Sequence, residues 1–282
     1  MDKNNYYLGM YEKAMPADLS WREKLNKCKE FGFDWVEISI DESDEKLSRL
    51  DWSAEERNYL INLIKETGVP INTMCLSGHR KYPMGSNDQK IELKAMEIME
   101  KAIQLAHDLG IRVIQLAGYD VYYEPSTTET RNRFLKNLHT AVEMASKQGV
   151  VLGFETMDTE FMNTVGKAMR YVNTINSPFL QIYPDIGNLQ NAGYIYNTSV
   201  LDDIKSGKGH IIAAHLKETI PGHDRGIPFG AGHTDYENDI NALKELGVRM
   251  FNGEFWCSGN TWEEDAKFAC QFLRGKLNAV FN

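Results

Sequence analysis

Residues 150–185 read VVLGFETMDTEFMNTVGKAMRYVNTINSPFLQIYPD. The run Val150–Thr156 is apolar and β-rich until it meets Glu155. After a polar stretch, Val165–Ile175 carries apolar residues at helical spacing. Leu180–Asp185 is a second β-rich run, and it too ends on an acid. Strand, helix, strand in this order is the unit of a parallel sheet, because parallel strands need a crossover and that crossover is right-handed. The two acids, Glu155 and Asp185, are 30 residues apart. That is close to one repeat, about 31 residues, of an eight-unit barrel of about 250 residues.

The same alternation extends in both directions. Upstream lie the β-rich runs Tyr6–Tyr11, Trp35–Ile40, Ile71–Leu76 and Arg112–Leu116, and downstream lie Ile211–Lys217 and Arg249–Trp256. Helical patterns follow each of them. Ser20 with Glu23, and Ser53 with Glu56, are capping boxes that open two helices, and Gly32, Gly68, Gly110 and Gly149 stand where helices should end. Eight strands, each followed by a helix, predict an α/β fold of the (β/α)8 TIM-barrel type. No G-x-G-x-x-G motif marks the first strand-to-helix turn, as a dinucleotide-binding doubly wound sheet would require. No linker or low-complexity segment interrupts the pattern, so residues 1–282 are expected to form a single domain.

Acidic residues outnumber basic ones by 40 to 31, for a net charge of −9. Binding to nucleic acid through phosphate contacts would want a basic face, so no nucleic-acid partner is expected. The first residues lack a basic segment followed by a long apolar run, and no stretch approaches the roughly 18 apolar residues of a membrane span. The cysteines 28, 75, 257 and 270 are scattered with no C-x-x-C pair, which fits free thiols and a reduced, cytoplasmic protein without a membrane partner.

In a barrel of this type the chemistry gathers at the C-terminal ends of the strands. The polar residues closing the late strands are Glu155, Asp185, His215 and Glu254, at spacings of 30, 30 and 39. Three carboxylates aimed at one mouth repel one another unless a cation lies between them. With one imidazole they offer an oxygen-and-nitrogen ligand set, which calls for one divalent metal ion: Zn or Mn first, Co or Mg next. Glu155 and Glu254 close the fifth and eighth strands, with Asp185 and His215 between them in order.

The stretches LGMYEKAMP, FGFDWVEISIDESDEKLSRLDW, CLSGHRKYPMGS, GIRVIQLAGYDVYYE, YPDIGN and GHIIAAHLKET cover nearly every strand end. Through them the chain resembles the xylose-isomerase-like TIM-barrel sugar isomerases and epimerases, and within these the L-ribulose-5-phosphate 3-epimerase (L-xylulose-5-phosphate 3-epimerase) family. The resemblance implies that Glu155, Asp185, His215 and Glu254 hold the metal, that the two glutamates are the catalytic pair, that the partner is a small-molecule sugar phosphate, and that the protein is a homodimer. The loop PGHDRGIPFGAGHTDY departs from the family at His223, Asp224, Arg225 and His233.

Further candidates for substrate binding are Lys13 after the first strand, His79 and Arg80 after the third, Asn188 beyond Asp185, and Lys217, which shares the strand face of His215. Glu37, an acid amid apolar neighbours, is expected inside the barrel in a hydrogen-bonding role. Tyr119, Tyr122, Tyr123 and Trp256 are candidate walls. Rival readings are a hexulose-6-phosphate isomerase or another sugar-phosphate isomerase on the same scaffold, a metal-dependent endonuclease, which seven scattered histidines and the acidic charge disfavour, and a non-catalytic sugar-binding barrel.

Overall fold

The computed structural model describes residues 5–282. Eight strands are present: β1 (Tyr7–Tyr11), β2 (Trp35–Ser39), β3 (Ile71–Leu76), β4 (Val113–Leu116), β5 (Val151–Phe154), β6 (Leu180–Ile182), β7 (Ala214–Leu216) and β8 (Met250–Gly253). All neighbouring pairs are parallel, in the order β6-β5-β4-β3-β2-β1-β8-β7. Parallel bridges from Ile182 to Ile211 and from Asp185 to His215 join the two outer strands. This last seam is thin because Pro184 has no N–H to give: its carbonyl accepts from the His215 amide at 2.8 Å, and pairing continues no further.

The helices are α1 (Trp21–Phe31), α2 (Asp44–Ser48), α3 (Ala54–Thr67), α4 (Gln89–Leu109), α5 (Thr128–Gln148), α6 (Val165–Ile175), α7 (Ile186–Tyr196), α8 (Val200–Ser206), α9 (Tyr236–Glu245) and α10 (Trp262–Phe281). Both capping boxes form, at Ser20 and at Ser53, and Gly32, Gly68, Gly110 and Gly149 all close helices in the left-handed conformation. The main apolar core lies between the strands and the outer helices, with Leu8, Met10, Val36, Ile38, Ile114, Leu152 and Phe251 facing Leu25, Ile98, Leu138 and Leu273. Among the described residues no helix is long and apolar enough to cross a membrane.

One expectation needs correction, and one helix runs against local propensity. The strands are shorter than their apolar runs: β6 stops at Ile182 and β7 starts at Ala214. And α7, whose sequence IGNLQNAGYIY holds two glycines and two asparagines, is a helix that propensity alone disfavours. It forms because Asp185 caps it, the carboxylate Oδ1 accepting from the Asn188 amide at 2.7 Å. The short α2 was also not foreseen.

The barrel interior holds a small apolar cluster of Val113, Tyr183 and Ala213 with Ile212 and Met250, and polar side chains toward the C-terminal ends of the strands. Gly9 of β1 makes room for the Trp35 ring, since a Cβ there would fall 2.3 Å from that ring. Successive residues of a strand face opposite ways, so inward positions recur every second residue. The even strands contribute Glu37 (β2), Gln115 (β4), Tyr183 just past β6, and Asn252 (β8). The odd strands contribute Tyr11 (β1), Cys75 (β3), Glu155 just past β5, and His215 (β7). Such alternation between odd and even strands is how an eight-stranded barrel fills its interior.

Candidate active site

Glu155, Asp185, His215 and Glu254 converge. One ligand atom from each lies within 4.8 Å of all the others, and all four residues are buried. The His215 Nδ1 atom is 3.3 Å from Glu254 Oε2, 3.5 Å from Glu155 Oε1 and 3.9 Å from Asp185 Oδ2. Strand pairing sets these positions: the Glu155 amide donates to the Leu116 carbonyl and the Glu254 amide to the Leu216 carbonyl, both at 3.0 Å, so each glutamate leaves its strand at a fixed height.

The other side of the imidazole is held by Glu37. His215 Nε2 donates to Glu37 Oε1 at 2.7 Å. Glu37 also accepts from Thr73 Oγ1 at 2.7 Å, Tyr183 OH at 3.0 Å and Asn252 Nδ2 at 3.1 Å. The carboxylate thus fixes ring orientation and leaves Nδ1 turned toward the three acids, as a carboxylate–histidine–metal arrangement requires. Gln115 Nε2 sits 3.1 Å from Nδ1.

Burial works against every charge here. It pushes the Glu155 carboxyl up, and the neighbouring Glu254 charge pushes it further. Burial acts on Glu254 too, but the Lys217 ammonium and His215 outweigh it and hold that carboxyl low. Burial raises Asp185 strongly, against the pull of Lys217. Burial alone would lower the His215 pKa, yet the Glu37 charge overrides it and raises it.

The cluster fits a divalent cation. Asp185 Oδ2 and Glu254 Oε2 are buried and accept no hydrogen bond. Lys217 Nζ lies 3.3 and 3.2 Å from them as an ion-pair partner, but one ammonium faces three carboxylates. Buried acceptors left unpaired are costly, and a cation between them would satisfy both. Three carboxylate oxygens and one imidazole nitrogen make a donor set suited to Zn, Mn, Co or Mg.

The remaining candidates divide. Lys13 and Arg80 share one cleft of about 630 Å³ with Asp41, Glu42, Ser43, Ser77, Lys81 and Tyr123. Lys13 is ion-paired with Asp41 at 2.6 Å. The Arg80 guanidinium lies 4.9 Å from the Tyr122 ring and 5.7 Å from the Tyr119 ring, and its buried Nε has no partner. Asn188 is buried, its amide on Asp185 and its side chain donating to the Thr156 carbonyl at 2.8 Å, so it positions the acid. Lys217 sits inside the acid cluster, where its ammonium pairs with Asp185 and Glu254. His79 is a correction: it is not brought to the cluster. Its ring is buried, Nε2 donates to the Ala95 carbonyl of α4 at 3.1 Å, and burial lowers its pKa to about 4. Following the third strand does not bring it to the mouth, because successive residues of the turn face different ways and His79 faces α4.

A family model described as the xylose isomerase-like TIM barrel matches residues 25–276. The chain belongs to that family. L-ribulose-5-phosphate 3-epimerase UlaE of Escherichia coli strain SE11 is 51% identical over 240 residues, which are 85% of this chain and 83% of that protein. The protein of the same name from Shigella sonnei strain Ss046 matches with the same figures. Among solved structures, a D-tagatose 3-epimerase-like protein superposes with a TM-score of 0.80 over 97% of this chain and 98% of its own, at 20% identity, which speaks for the fold alone. This family member is an enzyme of the epimerase class.

Sequence reasoning did not single out Gln115, Tyr183, Asn252 or Thr73 as partners of His215 and Glu37. The signal was available for two of them. Tyr183 and Asn252 lie two residues before Asp185 and Glu254, hence on the same strand face.

Proposed function

We propose that this chain interconverts L-ribulose 5-phosphate and L-xylulose 5-phosphate by inverting C3, with Glu155, Asp185, His215 and Glu254 holding one divalent metal ion. The observation that carries the reading is the buried four-residue cluster with its two unpaired carboxylate oxygens. The substrate comes from what the 51% identical relatives are named for. When bound, the metal would supply positive charge beside the oxygens that become anionic as the C3 proton leaves. The protein's own groups do the proton work. The two glutamates approach the cluster from β5 and β8, so each can serve one face of C3. One glutamate takes the C3 proton and the other returns one to the opposite face. In the reverse direction the roles exchange. Lys13 and Arg80, brought together in one cleft, are the candidates for the phosphate, and Asn188 holds Asp185 in place. The whole chain, residues 1–282, works as one cytoplasmic unit and pairs as a homodimer.

Turnover in D2O tests this reading. Product from L-ribulose 5-phosphate should be L-xylulose 5-phosphate carrying deuterium at C3 and none at C1. Deuterium at C1 alone would make the enzyme an aldose–ketose isomerase. Glu155→Gln and Glu254→Gln should each abolish inversion, and one of them should still wash the C3 proton out of a single epimer.

A further inference from the structure

The chain between β7 and α9, from Lys217 to Asp235, has no helix or strand of its own. Irregular loops longer than about 12–15 residues in a compact barrel are uncommon and usually functional. Three backbone amides of this segment converge on one buried carboxylate. Glu218 Oε2 accepts from Gly230 N–H at 2.8 Å, and Oε1 accepts from Thr234 N–H at 3.1 Å and from Thr219 N–H at 3.2 Å. A backbone seam reinforces it: His233 N–H donates to the Thr219 carbonyl at 2.9 Å and Thr234 Oγ1 to the Lys217 carbonyl at 3.0 Å. The fit is close. A Cβ on Gly232 would fall 2.1 Å from the Thr219 oxygen and 2.4 Å from Glu218 Oε1, so only glycine lets the loop lie this near the strand end.

The other limb is tied as well. Ile220 and His223 exchange both backbone hydrogen bonds, at 3.1 and 2.9 Å, and Asn191 Nδ2 of α7 donates to the His223 carbonyl at 3.3 Å. Between the limbs stand Asp224 and Arg225. The Arg225 guanidinium lies 5.3 Å from the Trp256 ring. Trp256 follows Glu254 by two residues and packs edge-on against Tyr11, whose ring is 6.3 Å from His215. The loop tip therefore sets a half-exposed cation against the wall of the mouth, beside one of the proposed catalytic glutamates.

We infer that Glu218 is a positioning residue that fixes the 219–235 loop and so sets Arg225, whose charge is partly matched by Asp224 at 3.7 Å, at the mouth as a contact for an oxygen of the sugar part of the substrate. The substrate part rests on the function proposed above. Alternation along the chain explains how one strand end does two jobs. His215 and Lys217 face the axis, while Glu218 faces the loop. Glu218 touches no reacting group, and its effect is carried by the backbone it organises.

Three variants test this. In Glu218→Gln an amide NH2 replaces an acceptor, so one backbone N–H faces a donor. Trypsin cleavage after Arg225 in the full-length, metal-loaded protein should then speed up at least tenfold. KM for L-ribulose 5-phosphate should rise about tenfold with kcat changed less than threefold and metal content unaltered. Glu218→Asp, which keeps two acceptor oxygens, should recover part of both. Arg225→Ala should raise KM similarly, and the double variant Glu218→Gln/Arg225→Ala should be no worse than the single ones, because both act through the same contact. If Glu218→Gln does not fold, Gly232→Ala lifts the same loop by steric contact and should give the same pattern. Wild-type trypsin resistance together with wild-type KM overturns the inference, and so do additive effects in the double variant. If the wild-type enzyme does not turn over ketopentose phosphates, the proposed function fails, while the trypsin rates still decide whether Glu218 holds the loop.

Discussion

Glu12 and Glu155 are both buried carboxylates just past the ends of barrel strands, yet their surroundings are opposite. Glu12 is over-supplied with partners. It accepts from the Ser39 amide at 2.9 Å, Lys24 Nζ at 3.0 Å, Lys46 Nζ at 2.7 Å, and both Arg49 amino groups at 2.6 and 2.8 Å. Arg49 is itself braced by the rings of Trp21 and Trp52, at 5.2 and 5.9 Å. Three cations surround one anion, and neither Glu12 oxygen is left without a partner. Around Glu155 three carboxylates share one lysine and one histidine, and two of their oxygens are unpaired. The first cluster is complete without a ligand, as a structural anchor must be. The second is incomplete, as a binding site must be. Burial of charge alone does not distinguish them, but the balance of donors and acceptors does.

The sharpest way to break this contrast is to remove a ligand from the incomplete cluster. His215→Ala or Asp185→Asn should cut bound metal and epimerase activity together, the activity by at least about a thousandfold, since the loss falls on charge stabilisation in the transition state. Elemental analysis of the purified variants checks it. Full metal occupancy in both would place the ion elsewhere. Asp185→Asn should cost little stability by comparison, because Asn also serves as a helix cap and α7 keeps its start.

The complementary variant is Glu12→Gln. Removing the only anion among three buried cations should destabilise the fold by about 3–5 kcal/mol, which for a chain this long lowers Tm by roughly 10 °C, while metal content stays at the wild-type level. The pH dependence has a definite sign. Burial would raise the Glu12 pKa, but Arg49, Lys24 and Lys46 hold it far below the ordinary carboxylate range. A depressed folded value gives stability that is fully present above the unfolded value of about 4.3 and is lost as pH falls below it toward the folded value. The gap between wild type and Glu12→Gln should therefore be constant from pH 7 to about 5 and shrink in stronger acid. A gap that widens below pH 4 would contradict the assignment.

The two clusters were not equally legible in the sequence. Glu155, Asp185, His215 and Glu254 could be found because they recur at the period of the barrel, each closing an apolar run. Glu12 could not, because it shares a stretch with Lys13 and its three cations come from α1, α2 and the turn after α2. Nothing local marks residues 24, 46 and 49 as neighbours. The fold was readable for the same reason as the acid cluster: eight repeats of strand and helix, with capping boxes and closing glycines where the chain needed them. What escaped was set by tertiary context. Helix α7 overrides a poor propensity through its Asp185 cap. Strand ends retreat where Pro184 interrupts pairing. His79 turns into α4 although it follows a strand.

The smallest expected effect concerns the cleft on the β1–β3 side of the rim, where Lys13 and Arg80 differ in how free their charges are. Lys13 already pairs with Asp41 at 2.6 Å and is partly exposed, so part of its charge is matched and the rest is screened by water. Arg80 is held over two tyrosine rings and has a buried Nε with no acceptor. A half-buried guanidinium with an unused donor gains more from an arriving phosphate than a lysine that must share. Arg80→Met should therefore raise KM for the phosphate ester about tenfold, the equivalent of one charge-assisted hydrogen bond of roughly 1.4 kcal/mol. Lys13→Met should raise it only about threefold. Neither should change KM for the unphosphorylated ketopentose or the metal content, and both should leave kcat nearly unchanged, because uniform binding of a remote group is what is lost. Equal KM changes with the free sugar would move the phosphate away from this cleft. A larger effect at Lys13 than at Arg80 would mean that Asp41 gives up its partner when substrate binds.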